Sequence, residues 1–211
     1  MAKIPLNKTS LHREMGRLKL FRRYLPSLDL KRRQLVRELQ SLRRALAATD
    51  QALADLMERA SGVFPMLGEI QYELGGLVTL REIRRGEELR VGVRIPVVED
   101  VAIDRTPYSL LSKPHWVDAL VDAICDAVRL RAEREAQADA VRVMEEATRK
   151  ITQRVNLFEK VLIPRSIGNI RTIRTFLSDA DRAAVVRSKI AKTKHAERIA
   201  AMGPSGVEVA P

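Results

Sequence analysis

The 211-residue sequence predicts a mainly α fold: a long antiparallel two-helix coiled coil formed by the N- and C-terminal arms, with a short middle region containing a β-hairpin. Three observations carry that expectation. In the first arm Leu18, Phe21, Leu25, Leu28, Leu35, Leu39, Leu42, Leu46, Leu53, Leu56, Ala60 and Val63 recur at steps of three and four, interrupted only by Arg32 and Thr49. In the second, Val141, Met144, Thr148, Ile151, Val155, Phe158 and Leu162 do the same. Such steps average the heptad period that holds an apolar stripe against a partner helix. Between the arms, Leu89, Val91, Val93 and Ile95 alternate with Arg90, Gly92 and Arg94, the period of a strand with one buried face. Folding the arms back on each other buries both seams.

Residues 1–62 are expected to form the N-terminal coiled-coil helix, with Thr9 or Ser10 as its N-cap and an end near Ser61-Gly62. Pro26 removes a hydrogen bond inside it, so a kink is expected there. Residues 63–114 form the middle region; Gly62, at the end of the helix, and Pro65, Gly68, Gly75 and Gly76 break the helical pattern. A short helix is expected around Met66 to Leu74. A hairpin follows, with strands Leu77 to Ile83 and Leu89 to Ile95 about a turn at Arg84-Arg85-Gly86-Glu87. Pro96 to Pro114 is read as connector, with one helical turn at Tyr108 to Leu111. Residues 115–200 form the C-terminal helix, which Pro164 should bend or loosen. Residues 201–211, rich in Gly and Pro, read as a disordered tail.

Only 4% of the residues are aromatic, which suits long helices better than a round core. The single Cys125 excludes a disulfide framework within the chain, fits a reducing compartment and reads as a small packed side chain. No run approaches the roughly 20 apolar residues of a membrane span, so a cytoplasmic protein without a direct membrane span is expected. The net charge of +11 is unevenly placed. Residues 1–50 hold 13 Lys and Arg against 4 Asp and Glu, and residues 151–211 hold 11 against 5. The intervening hundred residues carry 14 against 18. If the arms fold back, both termini share one basic end, and the bend is mildly acidic.

Nothing in the sequence marks a catalytic centre or a cofactor. His12, His115 and His195 lie far apart, and no HxxxH, HExxH or CxxC spacing puts two metal ligands on one face. No phosphate-binding glycine loop occurs, so Gly75, Gly76 and Gly86 read as turn glycines. The basic runs Arg22-Arg23, Lys31-Arg32-Arg33, Arg43-Arg44 and Lys189 to Lys194 suit a rival class, a free-standing basic helical hairpin that binds nucleic acid. The scarcity of stacking aromatics at the basic end weighs against it, and no nucleic acid is expected.

One segment goes beyond periodicity: Arg154-Val155-Asn156-Leu157-Phe158-Glu159-Lys160-Val161-Leu162-Ile163-Pro164, followed by Ile167, Ile170 and Ile173. It resembles the R-V-N-x-L/F-E-x-V-L-I-P stretch of the D subunit of V-type and archaeal-type rotary ATPases. Leu28-Asp29-Leu30-Lys31-Arg32 resembles that family's L-x-L-K-R segment, and Tyr108-Ser109-Leu110-Leu111 its Y-S-L-L element. Arg154, Asn156, Glu159, Leu162 and Pro164 are the motif positions. The resemblance implies a non-catalytic central rotor shaft, peripheral to the membrane, that couples the ring to ion translocation. It also implies that the termini enter a ring of alternating A and B subunits. The middle region would face the membrane-rotor adaptor and, with the lower coil, hold the small F subunit. In that orientation Arg13, Arg17, Lys19, Arg187, Lys189 and Lys192 are expected to lie together at the ring interface.

Overall fold

The computed structural model describes residues 5–63, 76–108 and 116–201. Helix α1 spans Lys8–Val63, strands β1 and β2 span Val78–Arg90 and Val93–Arg105, and helix α2 spans Trp116–Leu157. A π-helical segment, Phe158–Leu162, leads into α3, Ile163–Ala201. The expected short helix near Met66 to Leu74 and most of the expected turn at Tyr108 to Leu111 fall outside the described residues. So does the tail from residue 202. The chain divides into two compact units, one of Met1–Pro26 with Asn156–Pro211 and the other of Ser27–Val155.

Helix α1 begins earlier than Thr9 or Ser10, because Asn7 is the cap. Its Oδ1 accepts the Ser10 N–H at 2.7 Å, satisfying one of the otherwise unpaired first-turn donors. Pro26 stays inside α1. Val63, placed at the end of the seam by its spacing, is exposed. Thr49 is instead buried, because its hydroxyl donates to the Ala45 carbonyl at 3.2 Å and so needs no water.

In the unit of residues 27–155, Leu35, Leu39 and Leu42 of α1 pack with Ala140, Met144 and Ile151 of α2 and with Ile95 of β2. The alanines are a finding in themselves. Ala132, Ala136 and Ala140 are all buried on α2 at steps of four, so the seam extends farther N-terminal than Val141. A second cluster joins Leu77, Val117, Val121 and Cys125, with Trp116, Tyr108 and Ile103 packed around it. Cys125 is 1% exposed, a packed side chain as its position beside Ile124 suggests. Opposite-charge pairs Arg43–Glu145 and Arg134–Asp50 run antiparallel along the helices.

The hairpin is longer than the alternation implies, and its turn lies elsewhere. Arg90 pairs with Val93, leaving Val91 and Gly92 as a two-residue turn with φ of 51° and 74°. Two positive values match the turn whose twist suits antiparallel strands. The alternation from Leu89 to Ile95 therefore crosses the turn and is not one strand face: Leu89 is 69% exposed, and Ile95 is 1% exposed. Gly86 sits in mid-strand beside a register shift, where a Cβ would strike the Glu99 carboxylate. Much of the expected connector, from Pro96 to Arg105, is the second strand.

In the other unit, α1 lies antiparallel to α3. Phe21 meets Phe158 edge to face with centroids 5.4 Å apart, and Asn169 Nδ2 donates to Glu14 Oε2 at 3.2 Å. Pro164 acts on the turn before it. It has no N–H to offer the Lys160 carbonyl and its ring would crowd that oxygen. The preceding turn widens, and the Ile163 N–H reaches the Phe158 carbonyl five residues back.

Candidate assembly surfaces

The described residues contain no group of three or more His, Cys, Asp or Glu placed to hold a metal ion. No described helix is long and apolar enough to cross a membrane. What the structure offers is surface, in two chemically different forms.

The first is built by the hairpin and the helices it packs on. Arg90 of β1 donates to Glu38 of α1 at 3.1 Å and pairs with Glu88 at 2.8 Å. The Glu88 hydrogen bond is the main cause holding the Arg90 guanidinium above its ordinary range, and Arg90 in turn holds Glu88 below the ordinary carboxylate value. Arg85 reaches Glu135 and Arg105 reaches Asp122, both on α2. Tyr108 donates its hydroxyl to Asp118, which raises the phenol above its usual value. A cleft of about 500 Å³ lies beside these contacts, floored by Leu42, Ile95, Ala136 and Ala140. Gln137 lines it, and its Oε1 is buried without a hydrogen-bond partner among the described residues.

The second surface belongs to α1 and α3 near the termini. Met15, Leu18, Ile167 and Ile170 floor a groove of about 570 Å³. Lys19 and Arg22 line one side, and Arg171 and Arg174 the other. Farther along, every residue from Ser178 to Ile199 is exposed, including Val185, Val186, Ile190 and Ile199.

The six basic residues expected at an interface are all exposed, three on α1 and three on α3. No hydrogen bond or ion pair among the described residues joins the two sets. Arg17 is occupied by Glu14 at 2.9 Å. Of the six, Lys19 lines the groove between the helices, together with Arg22, Arg171 and Arg174. Their signal in the sequence is the spacing of three on each arm, which puts each pair on one helix face. Of the motif positions, Arg154 and Glu159 are exposed, Asn156 is half-buried, and Leu162 and Pro164 flank the end of the π-helical turn.

Comparison with known proteins finds matches over nearly the full length of the chain. A family model for the D subunit of ATP synthase matches residues 10–193. A protein named as the D subunit of a V-type ATP synthase, from Borreliella burgdorferi, is 31% identical over 193 residues, covering 92% of this chain and 95% of its own length. Proteins of the same name from Chlamydia felis and Chlamydia muridarum are 32% and 33% identical, each covering at least 92% of this chain and 96% of their own length. With the match running from the first turn of α1 through the hairpin to the exposed end of α3, the chain belongs to the family of ATP synthase D subunits.

Proposed function

We propose that this chain is the non-catalytic central-stalk rotor subunit of a V-type or archaeal-type ATPase, coupling ATP turnover in a ring of A and B subunits to ion translocation. The observation that carries the reading is the family match across residues 10–193, which takes in both helical arms and the hairpin together. The physical design supports it. A shaft needs stiffness, which packing of α1 against its partner helix within each unit supplies. It also needs a different face in each direction, and α1 and α3 present different side chains. The basic termini, including Arg13, Arg17, Lys19, Arg187, Lys189 and Lys192, are assigned to the ring. The hairpin region is assigned to the membrane-rotor adaptor and the small F subunit. The location assigned is the cytoplasmic face of a membrane-bound complex.

Affinity purification of the tagged full chain from its own cell tests the proposal. A and B subunits and a small F-type subunit should elute with it. Elution of nucleic acid with none of these subunits would support the basic-hairpin reading instead.

A further inference from the structure

We infer that the groove between the first turns of α1 and the start of α3 is a docking seat for an acidic segment with one apolar face, presented by a ring subunit. The inference rests on the rotor-subunit reading and names the chemistry of one of its contacts. The floor is apolar and incompletely covered. Ile170 is 7% exposed, but Met15 beside it is 42% exposed and Ile167 is 44% exposed. Burying such surface is worth about 25 cal/mol for each Å² removed from water.

The rim determines which apolar segment fits. Lys19, Arg22 and Arg171 have no carboxylate partner among the described residues, whereas in the other unit Arg43, Arg85, Arg90, Arg105 and Arg134 all do. Arg174 donates to the Met15 sulfur at 3.8 Å and has no carboxylate partner among the described residues. The nearby acid, Glu14, is buried and already engaged by Arg17 and Asn169, so it neutralises none of the four. Four cations without carboxylates about an apolar floor repel a basic helix of similar shape and attract one whose apolar stripe is flanked by Asp and Glu. The cations are exposed, so they set the rate and salt dependence of docking more than the final affinity.

Two measurements on the full chain test this. A Thr175→Cys variant carries a new thiol on the groove edge, while the native Cys125 is buried and unreactive to bulky reagents. Labelled with a photoactivatable maleimide and returned to the purified complex, it should cross-link to a ring-subunit segment holding more Asp and Glu than Lys and Arg. In parallel, K19E/R22E/R171E/R174E and the milder all-Gln variant are compared with R37E/R44E/R81E/R149E, which changes net charge equally in the other unit. The groove-reversal variant should retain ring subunits roughly tenfold more weakly at low salt, converging with the parent at high salt. The all-Gln variant should fall between, and the control should stay near the parent. A cross-link to a basic or neutral segment, to nucleic acid or to a second copy would overturn the inference. So would equal retention by the groove and control variants, while capture of A and B subunits by the parent would leave the rotor reading standing. If the parent captured no ring subunit, both would fall.

Discussion

The two compact units are built on the same pair of arms but solve the burial problem differently. In residues 27–155 the helices gain a third layer. Ile95 of the hairpin closes over Leu35, Leu39 and Met144, and the ion pairs stay exposed around that apolar cluster, with Thr49 the buried polar residue of this unit among the described residues. In the terminal unit two helices stand without a sheet, and the buried positions include Ser10, Glu14 and Ser166 alongside Ile170 and Ile173. A third layer lets apolar residues dominate a core. Two helices alone leave enough water access that polar groups enter the seam, where a satisfied pair such as Glu14–Asn169 sets register at some cost in stability. The division suits a subunit that is held firmly in one region and presents surface in the other.

The sharpest way to break this comparison is to place a charge in the layered core. Leu35→Asp should lower stability by about 4 kcal/mol or more, since the aspartate has no partner among Met144, Ile151 and Ile95. Thermal melting followed by far-ultraviolet circular dichroism measures it. An unchanged melting temperature would show that Leu35 is not core.

Next in size is the hairpin's contribution. Ile95→Ala should cost about 2–5 kcal/mol, because the cavity would open between both helices and the strand. A cost below about 0.5 kcal/mol would mean that the third layer is packed loosely and that the two units bury their residues in much the same way.

Glycine exchanges separate the units with smaller effects of opposite sign. Gly92→Ala meets only Lys31 Nζ at 3.7 Å, so its penalty is conformational, about 1 kcal/mol for a side chain at φ +74°. Gly168→Ala, in α3 with nothing within 4 Å, should stabilise by about 1 kcal/mol through helix propensity. Chemical denaturation of the two variants reads both, and the same sign for both would contradict the assignment of turn and helix.

Much of the fold is legible in the sequence, and what is not has specific physical causes. Leucine periodicity reveals the seam because leucine at steps of three and four seldom arises except on a buried helix face. The alanines at 132, 136 and 140 are silent, because alanine suits any helix position and marks no face by itself. Gly86 draws the expected turn to Arg84 to Glu87. The true turn uses Val91 in a left-handed conformation that β-branched residues rarely adopt, so its chemistry does not announce it. The basic residues at the termini are visible as a count, but which of them share a groove depends on how α1 meets α3, and that is set by packing.

The smallest expected effect is on pH dependence. Glu88 and Glu146 are held below their ordinary value of 4.5 chiefly by hydrogen bonds from Arg90 and Lys150. A lowered folded value favours the native state above the ordinary carboxylate range, and that benefit fades as pH falls through the folded value. Glu88→Gln should therefore be slightly less stable than the parent at pH 7, with the gap closing in acid once the Glu88 carboxylate is protonated in the folded and unfolded chain alike. A gap that stays constant across the range would remove the ion pair as its cause.

Rotation is the property that defines a shaft. A bead attached through Arg94→Cys, an exposed position beside the hairpin turn, to a complex immobilised by its ring makes that motion visible under the microscope. Unidirectional rotation of the bead is expected while ATP is hydrolysed. A bead that stays fixed during continued hydrolysis by a complete complex would contradict the assignment of this chain as the rotor.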